Sequence, residues 1–379
     1  MKKIRVLIVV LFLSKILLGF YFFSACDSNC SVRTNIKISR MINKTISQNG
    51  LTGLTVAVFT SDSVYALITK GLRRINSNDS LTIEDRFHLG SNGKAIVSFA
   101  AASLVEKGLI NWNTKFFDLY PELKEFSKKE YYDATLKELL THRAGLASKE
   151  IETKEIFFPN FNNDTLIDRM DLFKWALRKA KYYGGFQYSN VGYVMAVSML
   201  EKVTTKNWQN LLIETVFQPL DIDGSFGWPA MSDVNQPWGH WPDLETKRLI
   251  VHSPQDNYYL AKLGFERAGD INMSIIDYVK FLQDNLKGMK GQGGILSPNS
   301  YKMIHSGNNY GLGWMLLDKY DSYKHVSFHS GSGGTFYCLA FILRDNDIGI
   351  VLATNCVIEK LDEILIDLAL SILKLYPTK

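Results

Sequence analysis

A chain of 379 residues, 46% hydrophobic and 21% charged, is long enough to bury one large core, or two closely joined ones, without disulfide staples. The formal charge of +5 gathers at one end, because residues 1–25 hold Lys2, Lys3, Arg5 and Lys15 and no acid. The remainder is close to neutral, with basic residues read as interspersed among acids, so no electrostatic footprint for nucleic acid is present and that class of partner is set aside.

Residues 1–25 predict an export signal. Lys2, Lys3 and Arg5 form a positive start, residues 6–23 are apolar apart from Lys15, and the small Ser24 and Ala25 precede Cys26. A small residue directly before cysteine resembles a bacterial lipoprotein signal. That resemblance implies lipidation of Cys26 and an exported protein, periplasmic or membrane-anchored through the lipid or the signal segment. A plain signal peptide and an uncleaved anchor helix stay open. Lys15 argues against the anchor, since a lysine in mid-membrane costs about 2.5–3.5 kcal/mol.

Residues 27–35 are mostly polar and read as a tether, and 36–46 as a first helix, so 26–46 lead into the main domain. Residues 52–59 and 64–70 are β-rich around Thr60-Ser61-Asp62-Ser63, which predicts a hairpin. A polar connection covers 71–85. Residues 95–105 are apolar on nearly every side, the mark of a buried helix, with Gly108 as its stop and a start near Ser91. From 112 to 285 the pattern is mostly helical, with turns at Tyr120-Pro121, Gly145 and Gly184-Gly185, and 191–203 form another apolar helix. Residues 224–243, with Trp228, Trp238 and Trp241, read as a shaped loop that either lines a site or packs over the core. After Gly291 the β-pattern returns at 310–317, 326–330, 335–343 and 348–354, and 361–375 close the chain as an apolar-striped helix.

The fold class is therefore α+β. An antiparallel sheet is built from both terminal segments, 47–90 and 290–378, is flanked by helices, and receives a mostly helical insertion at 91–289. Residues 47–378 form one domain. The cysteines are Cys26, Cys30, Cys338 and Cys356; no C-x-x-C occurs, which excludes a zinc ribbon. Cys338 and Cys356 sit on or beside the last predicted hairpin, where a disulfide and two buried thiols are equally open.

Three short motifs carry chemistry. Ser91-Asn92-Gly93-Lys94 is S-x-x-K. A serine hydroxyl needs a base within hydrogen-bond reach, and residues three apart on a helix share a face, so Lys94 can serve Ser91. Burial and a helix N-terminus disfavour an ammonium and make the lysine a better base. Tyr188-Ser189-Asn190 follows Gly184-Gly185 and opens an apolar helix; the phenol can shuttle a proton, and Asn190 can both donate and accept. His329-Ser330-Gly331 ends a strand and precedes Ser332-Gly333-Gly334, where Gly331 lets a substrate lie close to the backbone. The N–H groups of Ser91 and Ser332 are candidates for an oxyanion hole. Each motif alone has an ordinary structural explanation: an N-capping serine, a packed tyrosine with a capping asparagine, a strand-end histidine.

Together they resemble the serine β-lactamase and penicillin-binding-protein superfamily, in the branch with Y-x-N as second motif. That branch holds class C β-lactamases, D-alanyl-D-alanine carboxypeptidases, D-aminopeptidases and β-lactamase-like esterases. The flanks agree. Phe87-His88-Leu89-Gly90 resembles the family's F-x-I-G, residues 139–146 its L-L-T-H-T-S-G-L, residues 310–314 its Y-G-L-G-W, and residues 268–274 its A-G-G-L-x-S-T. The resemblance implies a β-lactamase/transpeptidase-like fold and a serine hydrolase that cleaves an amide, ester or lactam through an acyl-enzyme on Ser91. Ser91, Lys94 and Tyr188 are then catalytic, and Asn190, His329, Gly331 and Ser332 bind a small-molecule or peptide substrate, such as one derived from a cell wall. No metal or cofactor is required. His329 stands where class C β-lactamases carry lysine, and a neutral imidazole holds a carboxylate less strongly, so efficient β-lactam hydrolysis is not expected. Two rivals are a non-catalytic binding or sensor protein tethered to the membrane and a scaffold that displays the helical region. His142, His240, His252, His305 and His325 show no metal-ligand spacing, and no G-x-S-x-G elbow exists. His142 belongs to a structural turn in the resemblance.

Overall fold

The computed structural model describes residues 28–146, 165–243, 245–256 and 264–376. The predicted export segment and Cys26 lie outside these residues. Six antiparallel strands form the main sheet in the order β2-β1-β11-β10-β9-β8. They are β1 (Gly53–Phe59), β2 (Val64–Gly71), β8 (Met315–Tyr320), β9 (Tyr323–Ser332), β10 (Tyr337–Leu343) and β11 (Ile348–Thr354). The two terminal segments thus meet at the β1–β11 ladder, where Thr55 faces Ala353 and Phe59 faces Gly349.

Strand alternation divides the core in two. Ala57, Phe59, Cys338, Ala340, Val351 and Ala353 face the helical region and join its core. Val56, Val58, Leu339, Phe341, Ile350 and Leu352 point the other way. Helix α1 (Ser28–Asn49) and the last helix, α8 (Leu361–Leu373), cover that second face with Ile38, Ile42, Leu365 and Ile372. The segment read as a tether at 27–35 is therefore mostly the first turns of α1. Its polar composition hides a helix whose buried stripe begins only at Ile38.

This two-faced arrangement also decides the cysteines. Cys338 belongs to the inner core and Cys356 to the outer one, and both are buried free thiols. They lie on opposite faces of the sheet, so no disulfide joins them.

The inserted region is less uniformly helical than its pattern predicts. A small sheet, β3-β7-β4, pairs β3 (Arg86–His88) with β7 (Ile271–Ser274) and β7 with β4 (Gly224–Phe226). A further pair joins β5 (His240–Pro242) to β6 (Leu249–Val251). The helices that matter for the site are α2 (Gly93–Glu106), α3 (Leu136–Leu140), α4 (Thr165–Lys179), α5 (Asn190–Thr204), α6 (Ile275–Met289) and α7 (Pro298–Ile304). Helix α2 is buried at every position from Gly93 to Leu104, as its all-round apolar sequence requires. Phe99, fully buried and edge-on to Phe281 and Tyr301, ties it to α6 and α7; truncating it to alanine would cost about 3–5 kcal/mol. The chain leaves α2 through Gly108 in the left-handed region at φ +70°.

Candidate active site

The turn that carries Ser91, the candidate nucleophile, is set by backbone packing. Strand β3 ends at His88, and Gly90 then takes φ +53°, a conformation that only glycine adopts freely, to start a 3-10 turn over Gly90–Asn92 that runs into α2. A Cβ on Gly90 would lie 2.5 Å from the Ser332 nitrogen, and one on Gly331 would lie 2.1 Å from the Leu89 oxygen and 2.5 Å from the Ser91 nitrogen. The nucleophile turn and the end of β9 therefore abut backbone to backbone. The amides of Ser91 and Ser332 lie on these two abutting segments.

Ser91 is half-buried, and Lys94, one helical turn on, is 1% exposed. Lys94 Nζ is 2.9 Å from Ser91 Oγ and donates a bond of 2.9 Å to the Ala268 carbonyl. It also stands over the rings of Tyr188 and Tyr193, 5.1 and 5.5 Å from their centroids. Serine, amine and phenol ring, 97 positions apart at the extremes of the sequence motif, share one pocket. Tyr188 is half-buried above it.

Tyr188 is held by aromatic neighbours. Its ring is 4.3 Å from that of His142 and 6.4 Å from those of Tyr310 and His329. The Ser189 N–H donates to His142 Nδ1 at 3.0 Å and the Gln187 N–H to the His142 carbonyl at 2.7 Å, so residues 187–189 are strapped to the turn after α3. Ser189 then caps α5 by accepting the Gly192 N–H, and Asn190, half-buried, is the first residue of that helix.

His329, on β9, is fully engaged. Its Nδ1 is 2.6 Å from the Ser330 carbonyl, which can only accept, so Nδ1 carries the proton and Nε2 accepts the Tyr310 hydroxyl at 3.0 Å. Burial, reinforced by the Lys94 charge, pushes the His329 imidazole down to about 3, and the ring is neutral. Burial, with Lys94, His329 and Arg143 adding to it, likewise holds His142 well below the usual histidine value. Burial raises the Tyr310 phenol well above its ordinary range. Gly331 is buried, and Ser332 is exposed at the mouth, with its hydroxyl accepting the Gly334 N–H.

Several residues that shape this site carried no role in the motifs. Asn92, the first spacer of S-x-x-K, is fully buried. It donates to the carbonyls of Leu89 and Cys338 and accepts from the Tyr278 hydroxyl, which locks the turn to β10 and α6. His88 is also fully buried. Its Nδ1 accepts the Gly90 N–H at 3.0 Å, which leaves Nε2–H to donate to Asp270 Oδ1 at 2.8 Å. Gly333 fits against the same imidazole, where a Cβ would come within 2.1 Å of Nδ1, and its carbonyl accepts the Trp228 indole N–H. Trp228 is thus the part of the 224–243 loop that packs under the site. Only partners far apart in sequence reveal these roles; His88 and Asp270 are separated by 182 residues.

Comparison with known proteins places the chain in a family. The beta-lactamase family model matches residues 38–374. The chain is 24% identical over 261 residues to a beta-lactamase of Yersinia enterocolitica, covering 67% of this chain and 61% of that protein. It is 22% identical over 280 residues to penicillin-binding protein 4* of Bacillus subtilis, covering 69% and 58%. It therefore spans about three fifths of the length of these curated relatives. Among solved structures, D-amino acid amidase from Ochrobactrum anthropi superposes with TM-score 0.72 at 19% identity, over 90% of this chain and 99% of that one. The octameric penicillin-binding protein homologue from Pyrococcus abyssi superposes with TM-score 0.68 at 21% identity, over 84% and 73%. With the α+β architecture, the serine–lysine helix and a family match that runs from α1 to the end of α8, the chain belongs to the beta-lactamase family.

Proposed function

We propose that the protein opens an amide, ester or lactam carbonyl by acyl transfer to Ser91 and then to water. The observation that carries this reading is the 2.9 Å contact between Lys94 Nζ and Ser91 Oγ, made by a lysine almost wholly removed from solvent. Lys94, acting as the neutral amine, takes the hydroxyl proton on its lone pair as Oγ attacks the carbonyl carbon, while its N–H bond to the Ala268 carbonyl keeps it aimed. The N–H groups of Ser91 and Ser332 hold the oxyanion. Collapse of the tetrahedral adduct expels the leaving group, which receives its proton through Tyr188. Water then attacks the acyl-serine and returns the proton to the serine oxygen as the acid departs. Asn190 orients the substrate, and His329 acts as an uncharged wall, since both of its nitrogens are bonded within the protein.

A neutral wall favours substrates whose binding does not depend on a carboxylate, which puts esters and amino-acid amides ahead of β-lactams. The D-amino acid amidase superposition supports testing amides first. The decisive measurement is labelling by a fluorophosphonate probe together with turnover of short-chain esters, D-amino acid amides, D-Ala-D-Ala peptides and nitrocefin. Wild type should label and turn over at least one class, and Ser91→Ala should do neither. Labelling that persists in Ser91→Ala would refute the assignment, and ligand binding without turnover would favour the sensor reading. The same proposal includes export and lipid attachment at Cys26, motivated by the Ser24-Ala25-Cys26 sequence. Palmitate incorporation that survives Cys26→Ala would remove that part.

A further inference from the structure

Helix α1 carries an unusual distribution of charge. Its 22 residues include no acid, although the sequence outside residues 1–25 reads as evenly mixed. Its four cations, Arg33, Lys37, Arg40 and Lys44, are spaced 4, 3 and 4 apart, which confines them to about 60° of the helix circumference at 100° per residue. All four are exposed, and none makes an ion pair with another described residue. Elsewhere on the surface some cations are paired, as Lys115 is with Asp133 and Lys206 with Glu214, and others such as Lys107 and Lys137 make no ion pair with a described acid; α1 differs in having four such cations in one row.

Beside this stripe lies an apolar one. Val32 is 57% exposed and Ile36 47%, although the helix buries Ile38 and Ile42 completely on its other side. Val32 and Ile36 line a shallow groove with Asn35, Ser39, Arg40 and Ile68 of the edge strand β2. On the same strand, Tyr65 is 40% exposed and stacks on Tyr376 at 5.6 Å. A helix face that pairs a row of cations with adjoining exposed aliphatics, bordered by tyrosines, has the make-up of a surface that lies on a bilayer.

We infer that the Arg33–Lys37–Arg40–Lys44 face of α1, with Val32 and Ile36, docks the domain onto a membrane surface of anionic lipid. An acidic protein would match the cations but would leave the aliphatic row exposed, whereas the headgroup boundary takes both. No helix among the described residues is long and apolar enough to cross a membrane. In the sequence Cys26, the lipid attachment point proposed above, precedes the start of α1 by two positions, and a lipid there would deliver this face to the bilayer. The active site, at the far end of β9 and behind the inner face of the sheet, belongs to the other core and stays away from α1.

The test uses the full chain and vesicles of phosphatidylcholine alone or mixed with phosphatidylglycerol, read by co-sedimentation at low and high salt. Wild type should prefer the anionic vesicles, and the preference should fall as salt rises. Each cation near an anionic surface contributes roughly a factor of five. Combined Arg33→Gln, Lys37→Gln, Arg40→Gln and Lys44→Gln should therefore lower anionic binding at least tenfold, and the four glutamate substitutions should abolish the preference. Lys107→Glu, Lys124→Glu, Lys129→Glu and Lys137→Glu, combined as a control of equal charge change, should keep it. Binding to the two vesicle types that is equal in wild type, or a preference that survives in the glutamine variant, overturns the proposal. So does a stripe variant that loses heparin binding but keeps its vesicle preference, because the stripe would then serve a soluble polyanion.

Discussion

The two walls of the candidate active site are built by different physics. On the nucleophile side, positions are fixed by backbone against backbone: Gly90 meets Ser332, Gly331 meets Leu89 and Ser91, and Asn92 and His88 bond main-chain groups directly. On the tyrosine side, Tyr188, His142, Tyr193, Tyr310 and His329 hold one another by ring contacts and single hydroxyl bonds. A wall of abutting backbone tolerates no added atom. A wall of rings loses its contacts one at a time. Substitutions on the first should therefore be severe and positional, and those on the second graded.

Gly331→Ala tests the severe side. A methyl group 2.1 Å from the Leu89 oxygen must push the nucleophile turn away from β9, which separates the two proposed oxyanion donors. Loss of one such donor is worth about 10²–10³ in rate, so labelling by the fluorophosphonate should slow by that order. Normal labelling with an unchanged unfolding midpoint would show that the two segments part without consequence. His88→Leu comes next. It strips the Gly90 N–H of its acceptor and Asp270 of its donor, both in the interior, at a cost of about 1–3 kcal/mol. Urea unfolding should register that loss, and labelling should slow about tenfold. His88→Gln, whose carbonyl can still accept from Gly90, should recover most of the rate; if it labels as slowly as the leucine variant, the hydrogen bond is not what positions the turn. On the ring side, Tyr310→Phe removes one hydroxyl from His329 Nε2 and leaves the stacking in place. A loss of about 1 kcal/mol in stability and a few-fold change in kcat/KM are expected. A hundredfold loss would mean that the aromatic wall is as rigid as the glycine wall.

The same contrast explains what could be read beforehand. Ser91 and Lys94 were legible because their spacing alone places them on one helical face, and the all-round apolar run behind them announced a buried helix. The main sheet was legible from its alternating strands, although β8 falls at Met315–Tyr320 and begins five residues after the start of the predicted run at 310–317. The small sheet was not, because β3 and β4 have three residues each, too few to show a period of two. The first turns of α1 were mistaken for a tether because they are mostly polar and their aliphatic residue, Val32, faces outward. His88 and Asp270 each look ordinary in sequence, and their bond exists only because β3 and β7 pair across 182 positions. Tyr310 stood inside a recognised motif, but nothing local shows that its hydroxyl ends on His329. Cys338 was predicted in, and Cys356 just beyond, the last hairpin, yet the two thiols join the cores on opposite faces of the sheet.

A further effect concerns pH, and it reaches beyond the site. His329 and His305 are pushed down to about 3 and His240 to about 4, in each case chiefly by burial. His142 is lowered as well, for the same first reason. In the unfolded chain these rings take up a proton as pH falls through about 6.5, whereas in the folded protein they remain neutral. The unfolded state then binds more protons, so stability is complete above that value and declines as pH falls from about 6.5 towards about 4. Each ring contributes a slope of up to about 1.4 kcal/mol per pH unit. Asp284 works the other way, since burial raises its carboxyl and the folded state gains a proton first, but a carboxylate exerts that effect lower in the pH range. Urea unfolding at pH 7.5, 6.0 and 5.0 should therefore show a falling midpoint. His305→Asn, which removes a ring bonded to Ser327 and Asn285 outside the catalytic pocket, should lower stability at every pH and make the decline shallower. A midpoint that stays level down to pH 5 would mean that these imidazoles gain protons without unfolding, and that the ring wall opens to water more readily than its burial implies.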